Sequence, residues 1–157
     1  MQKHKTSETI EVNDNTIWTT SAVVRHTEVE SEKYLLIQEK DESWGFVGGA
    51  KDIEDANLME ALEREILEEI GLVVGEYTVE ETDVLYEFTY SHESSPRFGK
   101  VGKEQFFIVD VKDISELKLA DDILDAQWFT KEKAIEMLSS VEFFNYRADY
   151  FKKVLGE

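Results

Sequence analysis

The sequence predicts an α+β chain, a mixed β-sheet with helices packed on it. Three observations predict this. β-Branched and apolar runs lie before, between and after two helical stretches, glycines and charged turns punctuate them, and the long internal helix is amphipathic and so has a face to bury. Consecutive strands without intervening helices argue against a doubly wound parallel sheet.

The elements follow in order. A polar tail runs to about residue 15, and "TIWTTSAVVRHTEV" and "KYLLIQEK" then read as two strands around the charged turn "EVESE". "WGFVGGAKD" holds Gly45, Gly48 and Gly49, three of the eight glycines, and is expected to be an irregular loop. A helix is expected from Ala56 to Ile70, stopped by Gly71 as its C-cap. "EYTVEETDVLYEFTYSH" alternates in its second half, so Tyr86, Phe88 and Tyr90 share one face of a long strand. "ESSPRFGKVGK" is a loop, "EQFFIVDV" a strand, and "AQWF" a short strand leading into the helix "TKEKAIEML". Thr130 caps that helix, with Lys133 where a capping-box acid would stand. In "EFFNYRADYFKKVL", Phe143, Tyr146, Tyr150 and Val154 recur at helical spacing.

With 157 residues, 41% of them apolar, and no low-complexity tract, the chain is expected to form one domain over residues 1–157. It contains no cysteine, which removes disulfides, thiolate nucleophiles and Cys-based metal sites and agrees with a reducing compartment. Neither a signal peptide nor a bilayer-spanning run is visible, so a cytoplasmic protein without membrane partners is expected. The balance of 17 basic against 35 acidic residues, net −18, disfavours an extended DNA or RNA track. A small phosphorylated ligand stays compatible with that charge, because cations held by carboxylates invert the local field.

The stretch "REILEEIGL" crowds Glu65, Glu68 and Glu69 onto one helix, where each like-charge pair costs roughly 0.2–0.5 kcal/mol. On a wheel of about 100° per residue, Leu58, Met59, Leu62, Ile66 and Ile70 form the core stripe, and Glu69 falls angularly between Leu58 and Leu62. A solvated acidic face accounts for Glu60 and Glu63, but a carboxylate on the rim of a core calls for a positive partner. Hard carboxylate oxygens on successive turns suit Mg²⁺, with water and phosphates completing its shell. Arg64, four residues from both Glu60 and Glu68, is placed to bridge to either. Ala61 lies within the acidic arc and leaves room for another backbone, such as Gly48–Gly49.

The segment "GGAKDIEDANLMEALEREILEEIGL", Gly48 to Leu72, resembles the Nudix box, whose pattern runs Gly, five residues, Glu, seven residues, then Arg-Glu-apolar-x-Glu-Glu-x-Gly-apolar. Arg64, Glu65, Ile66, Glu68, Glu69, Gly71 and Leu72 match every fixed position of its second half. Counting back from Arg64, the earlier Gly and Glu positions hold Ala50 and Ala56, and Val47 stands where a Pro is usual. A one-residue insertion restores Gly49 and offers Asp55 or Glu54 for the missing Glu. Trp44 before the box and "AQWF" before a late helix are similar to the α-β-α sandwich of this MutT-like family.

The resemblance implies a hydrolase that cleaves a phosphoanhydride in a nucleoside polyphosphate or nucleoside diphosphate derivative with Mg²⁺ or Mn²⁺. Glu65, Glu68 and Glu69 would be the metal ligands and Arg64 part of the catalytic group. Asp122, six residues before Trp128, is placed as a general base, with Asp121 and Asp125 as competitors. Gly48 and Gly49 are candidates for substrate contact, as are Arg97, Lys100 and Lys103, which form a basic cluster on one loop that either clamps phosphate or is simply exposed. Trp18, Trp44, Tyr86 and Phe88 are candidates for base stacking, and no histidine among His4, His26 and His92 is assigned to metal. "GKVGKEQFF" and "FNYRADYFKKVL" are similar to segments of diadenosine polyphosphate hydrolases and RNA pyrophosphohydrolases, and they also suit a nucleoside triphosphate pyrophosphohydrolase. RNA 5′ ends are disfavoured by the charge. The alternative is a nucleotide-binding module of the same fold that has lost catalysis, motivated by Val47, Ala56 and the shifted glycine. Family members often dimerise, so a homodimer is a further implication.

Overall fold

Helix α1, Leu58–Ile70, forms because its apolar residues recur on one face and both ends are capped. Asn57 accepts the Glu60 N–H, and Gly71, at φ 76°, returns its own N–H to the Ile66 and Leu67 carbonyls. The expected start at Ala56 moves two residues on, because the Asn57 side chain closes the first turn. Leu58, Leu62, Ile66 and Ile70 are fully buried, each worth roughly 1.5–3 kcal/mol of apolar transfer.

The computed structural model describes residues 15–114 and 117–157; His4 and nearly all of the expected polar tail lie outside them. Around α1 the chain runs β1 Thr16–Thr27, β2 Glu32–Glu39, β3 Trp44–Gly45, β4 Val47–Ala50, then β5 Tyr77–Thr89, β6 Val101–Val111 and β7 Ile123–Phe129. It ends with α2 Lys131–Leu138, a 3₁₀ turn Glu142–Phe144 and α3 Tyr146–Val154. The strands order as β3-β2-β1-β6-β5, with β4 paired to β1 and β7 to β2. β1 and β6 are parallel and the other pairings antiparallel, which makes the sheet mixed.

Alternation along β1 and β6 sends side chains to two cores. Ala22, Val24, Phe107 and Val109 pack with α1 on one face, while Val23, Phe106 and Ile108 pack with α2 and α3 residues on the other. The result is an α-β-α sandwich. Among the described residues no helix is long and apolar enough to cross a membrane.

Two expectations are corrected. The glycine-rich stretch is not wholly irregular, since Val47–Ala50 pairs with Thr19–Ala22 as β4, held by a partner distant in sequence. The C-terminal segment is not one helical stripe. It breaks at Asn145 between the 3₁₀ turn and α3, and this leaves Phe143 82% exposed while Phe151 takes the buried position.

Candidate functional site

The pairing of β4 with β1 lays Gly48 and Gly49 beside the acidic side of α1. The Gly48 N–H donates to Glu69 Oε1 at 2.7 Å. A Cβ at Gly48 would stand 2.0 Å from the Thr20 carbonyl oxygen, so only glycine fits there, and one at Gly49 would stand 2.6 Å from Glu65 Oε1 and push that carboxylate aside. The sequence expectation that a second backbone comes close to α1 is met here, with Ala61 fully buried.

Arg64 organises the other side. Its Nη1 donates to Glu65 Oε1 at 3.0 Å and Glu68 Oε2 at 3.2 Å, and its Nη2 donates to the Ala50 carbonyl at 3.0 Å. Its remaining bonds go to Asp55, from Nε at 3.2 Å to both carboxylate oxygens and from Nη2 at 2.9 Å to Oδ2. Asp55 also accepts the Asp52 N–H at 2.8 Å. Of the two acids the loop offered, Asp55 is the one at the Arg64 guanidinium. Gly49 and Asp55 keep the spacing of the box, and the extra residue falls within residues 56–63, between Asp55 and Arg64.

The electrostatics divide the same way. Burial raises the Asp55 carboxyl, but the Arg64 and Asp52 hydrogen bonds more than offset it and hold the group below its ordinary value. Burial pushes Glu69 up to about 8 despite the Gly48 N–H, with repulsion from Glu65, Asp122 and Glu39 added. Glu65 is also raised, by burial first and by Glu68 and Asp52 after it, against the pull of Arg64.

Among the described residues no three acidic or imidazole side chains converge as a ready-made cage. Glu68 is 56% exposed and turned to Arg64. The donor chemistry nevertheless fits a hard divalent cation, because the oxygens are carboxylate and two of the groups are held where negative charge is disfavoured, a penalty such an ion relieves.

On the far side of β4 opens a cleft of about 350 Å³, with Gly48, Gly49, Phe88, Tyr90 and Arg97 in its lining. Arg97 is stacked over the Tyr90 ring and donates to its hydroxyl at 3.2 Å. Lys103 projects from the opposite face of β6 to Trp18 and Glu87, and Lys100 is outside the lining, so the basic cluster of the sequence is not gathered at one point. Asp122 is exposed and close enough to raise Glu69, whereas Asp125 is engaged with Ala126 and Gln127. Trp44 is buried edge-on to Phe129, Trp18 packs against the α1 core, and His26 Nδ1 contacts the Val111 carbonyl. A larger depression of about 560 Å³ lies at the β1–β2 turn against Thr130–Glu132, away from the box.

Sequence reasoning passed over Glu39, Glu104, Tyr146 and Arg147, which also line the cleft. The signal for Glu104 was present as a charged residue two positions before Phe106, on the side of β6 that sends Phe106 and Ile108 into the core.

Comparison with known proteins gives the family and the fold. The NUDIX domain family model matches residues 18–148. No curated protein matches the chain. Among solved structures, an Ap4A hydrolase from C. elegans in a binary complex superposes with TM-score 0.68 at 18% identity, covering 88% of this chain and 97% of that one. The E. coli dihydroneopterin triphosphate pyrophosphohydrolase gives 0.69 at 16% identity, covering 89% and 96%. A MutT protein from Methanosarcina mazei Go1 gives 0.63 at 18% identity, covering 94% and 100%. With the family model spanning most of the chain and the box residues gathered between β4 and α1, the chain belongs to the Nudix family of hydrolases, which act on phosphoanhydride bonds.

Proposed function

We propose that this hydrolase cleaves a phosphoanhydride in a small nucleoside polyphosphate or nucleoside diphosphate derivative, with Mg²⁺ or Mn²⁺ held by Glu65, Glu68 and Glu69. The observation that carries this reading is the placement of Glu65 and Glu69, half-buried against Gly48 and Gly49, the two glycines whose other side lines the cleft. When bound, the ion neutralises phosphate charge and acidifies water. The chain's own residues position the rest. Arg64 fixes Glu65 and Glu68, the Gly48 N–H fixes Glu69, and Arg97 in the lining of the cleft offers a cation for phosphate. The rings of β5 offer a face on which a base can stack, and Asp122, near Glu69, is the acid proposed as general base.

Asp55 supplies the carboxylate that the box pattern lacks at Ala56, which favours the catalytic reading over a binding module that has lost activity. The similarity of fold to an Ap4A hydrolase and to a dihydroneopterin triphosphate pyrophosphohydrolase supports a substrate with a heterocycle on a polyphosphate. The chain is proposed to act as one domain without nucleic-acid or membrane partners. The test is turnover with Mg²⁺ on nucleoside triphosphates, dinucleoside polyphosphates and nucleotide sugars, identifying whether orthophosphate, pyrophosphate or a monophosphate is released. Glu68→Gln and Glu69→Gln are expected to lose at least about 100-fold in kcat, as for removal of a charged group acting on the transition state. Full activity in either variant, or ligand binding without phosphate release by the wild type, overturns the proposal.

A further inference from the structure

Glu104 lies outside the box, yet its carboxylate lines the cleft and is partly buried. On β6 it stands opposite Tyr86 of β5 and Thr19 of β1. A charge in such a place is costly unless something meets it. The Ser21 hydroxyl donates to Glu104 Oε2. Arg147, the nearby cation, is engaged elsewhere, donating to the Trp44 carbonyl at 2.8 Å and the Ser43 hydroxyl at 3.4 Å, with Glu39 at 3.6 Å. Burial raises the Glu104 carboxyl, Ser21 and Arg147 lower it, and Glu39 raises it again.

This patch of the cleft offers hydrogen-bond acceptors. The Ser21 proton is spent on Glu104, so the Ser21 oxygen presents its lone pairs beside the carboxylate. Alongside runs an aromatic shelf. Phe88 lies 5.1 Å from Tyr86 and 4.9 Å from Tyr90 between ring centroids, and Tyr146 closes on Tyr86 at 4.8 Å. Gly102 lets the shelf sit flush, since a Cβ there would be 2.3 Å from the Phe88 ring. A planar heterocycle lying on these rings would turn its edge to Glu104.

We propose that Glu104 selects the base of the substrate, taking a guanine-type edge in which a ring N–H and an exocyclic amino group are adjacent donors. This rests on the nucleotide-hydrolase reading and refines it. Adenine and cytosine place a ring lone pair next to their amino group, and uracil flanks its single N–H with carbonyls, so each brings an acceptor toward the carboxylate. Guanine alone among the four offers two neighbouring donors. A polar site of this kind rejects a ligand that leaves its groups unpaired.

The test is calorimetric binding to the full chain in Mg²⁺ of analogues of GTP, ITP and ATP that carry methylene bridges at both the α,β and the β,γ positions and so have no phosphoanhydride to cleave. ITP lacks only the 2-amino group. The guanine analogue is expected to bind about 10–100-fold more tightly than the other two, as for hydrogen bonds to a charged group. Glu104→Gln is expected to bring the three within about 3-fold by weakening the guanine analogue. Equal binding of all three by the wild type overturns this inference alone and leaves the nucleotide reading standing. A uniform loss for all three in Glu104→Gln also overturns it, by placing the residue on the phosphate or sugar side. No binding by any analogue overturns both. The wild-type ranking needs no variant, so it holds as a test even if Glu104→Gln fails to fold.

Discussion

Asp55→Ala is the substitution whose cost the structure specifies best. It removes a carboxylate with 8% of its side chain exposed and leaves the Arg64 guanidinium, 26% exposed, without its closest partner at 2.9 Å. Removing one member of a fully buried pair costs about 3–5 kcal/mol. Arg64 keeps Glu65, Glu68 and the Ala50 carbonyl, so the expected loss is smaller, about 2–3 kcal/mol. For a chain of this length that lowers Tm by about 5–10 °C. Asp55→Asn retains an acceptor and should lose about half as much. The pH dependence has a definite sign. The folded Asp55 carboxyl is depressed, so its contribution is present above the ordinary aspartate value near 4 and disappears as pH falls through the folded value. Urea melts between pH 7 and pH 3 should show wild type and Asp55→Ala converging at the acid end. Melting temperatures of both variants within about 1 °C of wild type at pH 7, or a deficit unchanged at pH 3, would refute the reasoning.

The two glycines of β4 should fail differently. Gly48→Ala drives a methyl into backbone at Thr20 and is expected to cost more than about 2 kcal/mol in denaturant melts, whereas Gly49→Ala meets only the movable Glu65 carboxylate and should lose activity at least about 10-fold with a stability change under about 1 kcal/mol. Asn57→Ala removes the N-cap of α1 and should cost about 1 kcal/mol in the same melts, with no change in KM. Chelation should abolish turnover, and millimolar Mg²⁺ should restore it and raise Tm by several degrees, an increase that Glu69→Gln lacks.

Much of this arrangement was legible in the residues because the signals were local. The apolar stripe of α1, its glycine stop, the alternation at Tyr86, Phe88 and Tyr90 and the Thr130 cap depend on neighbours a turn or two away. The strand character of Val47–Ala50 was not legible, since it arises from pairing with Thr19–Ala22. The choice of Asp55 over Glu54 depends on where an irregular turn aims each carboxylate, and spacing alone does not contain that. Glu104 and Arg147 become neighbours of the box glycines only when β6 and the first turn of α3 come to the same cleft. Phe143 misled because helical spacing persists in sequence across the break at Asn145.

The double partnership of β1 has a consequence for size. Thr20 faces Gly49 on one side and Gln105 on the other, and Ser21 likewise faces Gly48 and Phe106. One strand therefore gauges the span between the carboxylates of the helix and the shelf of rings, and a slip of a single residue would turn both ends over together. The molecule carries a fixed caliper, and the distance between its jaws is set by backbone pairing rather than by any side chain that could be exchanged.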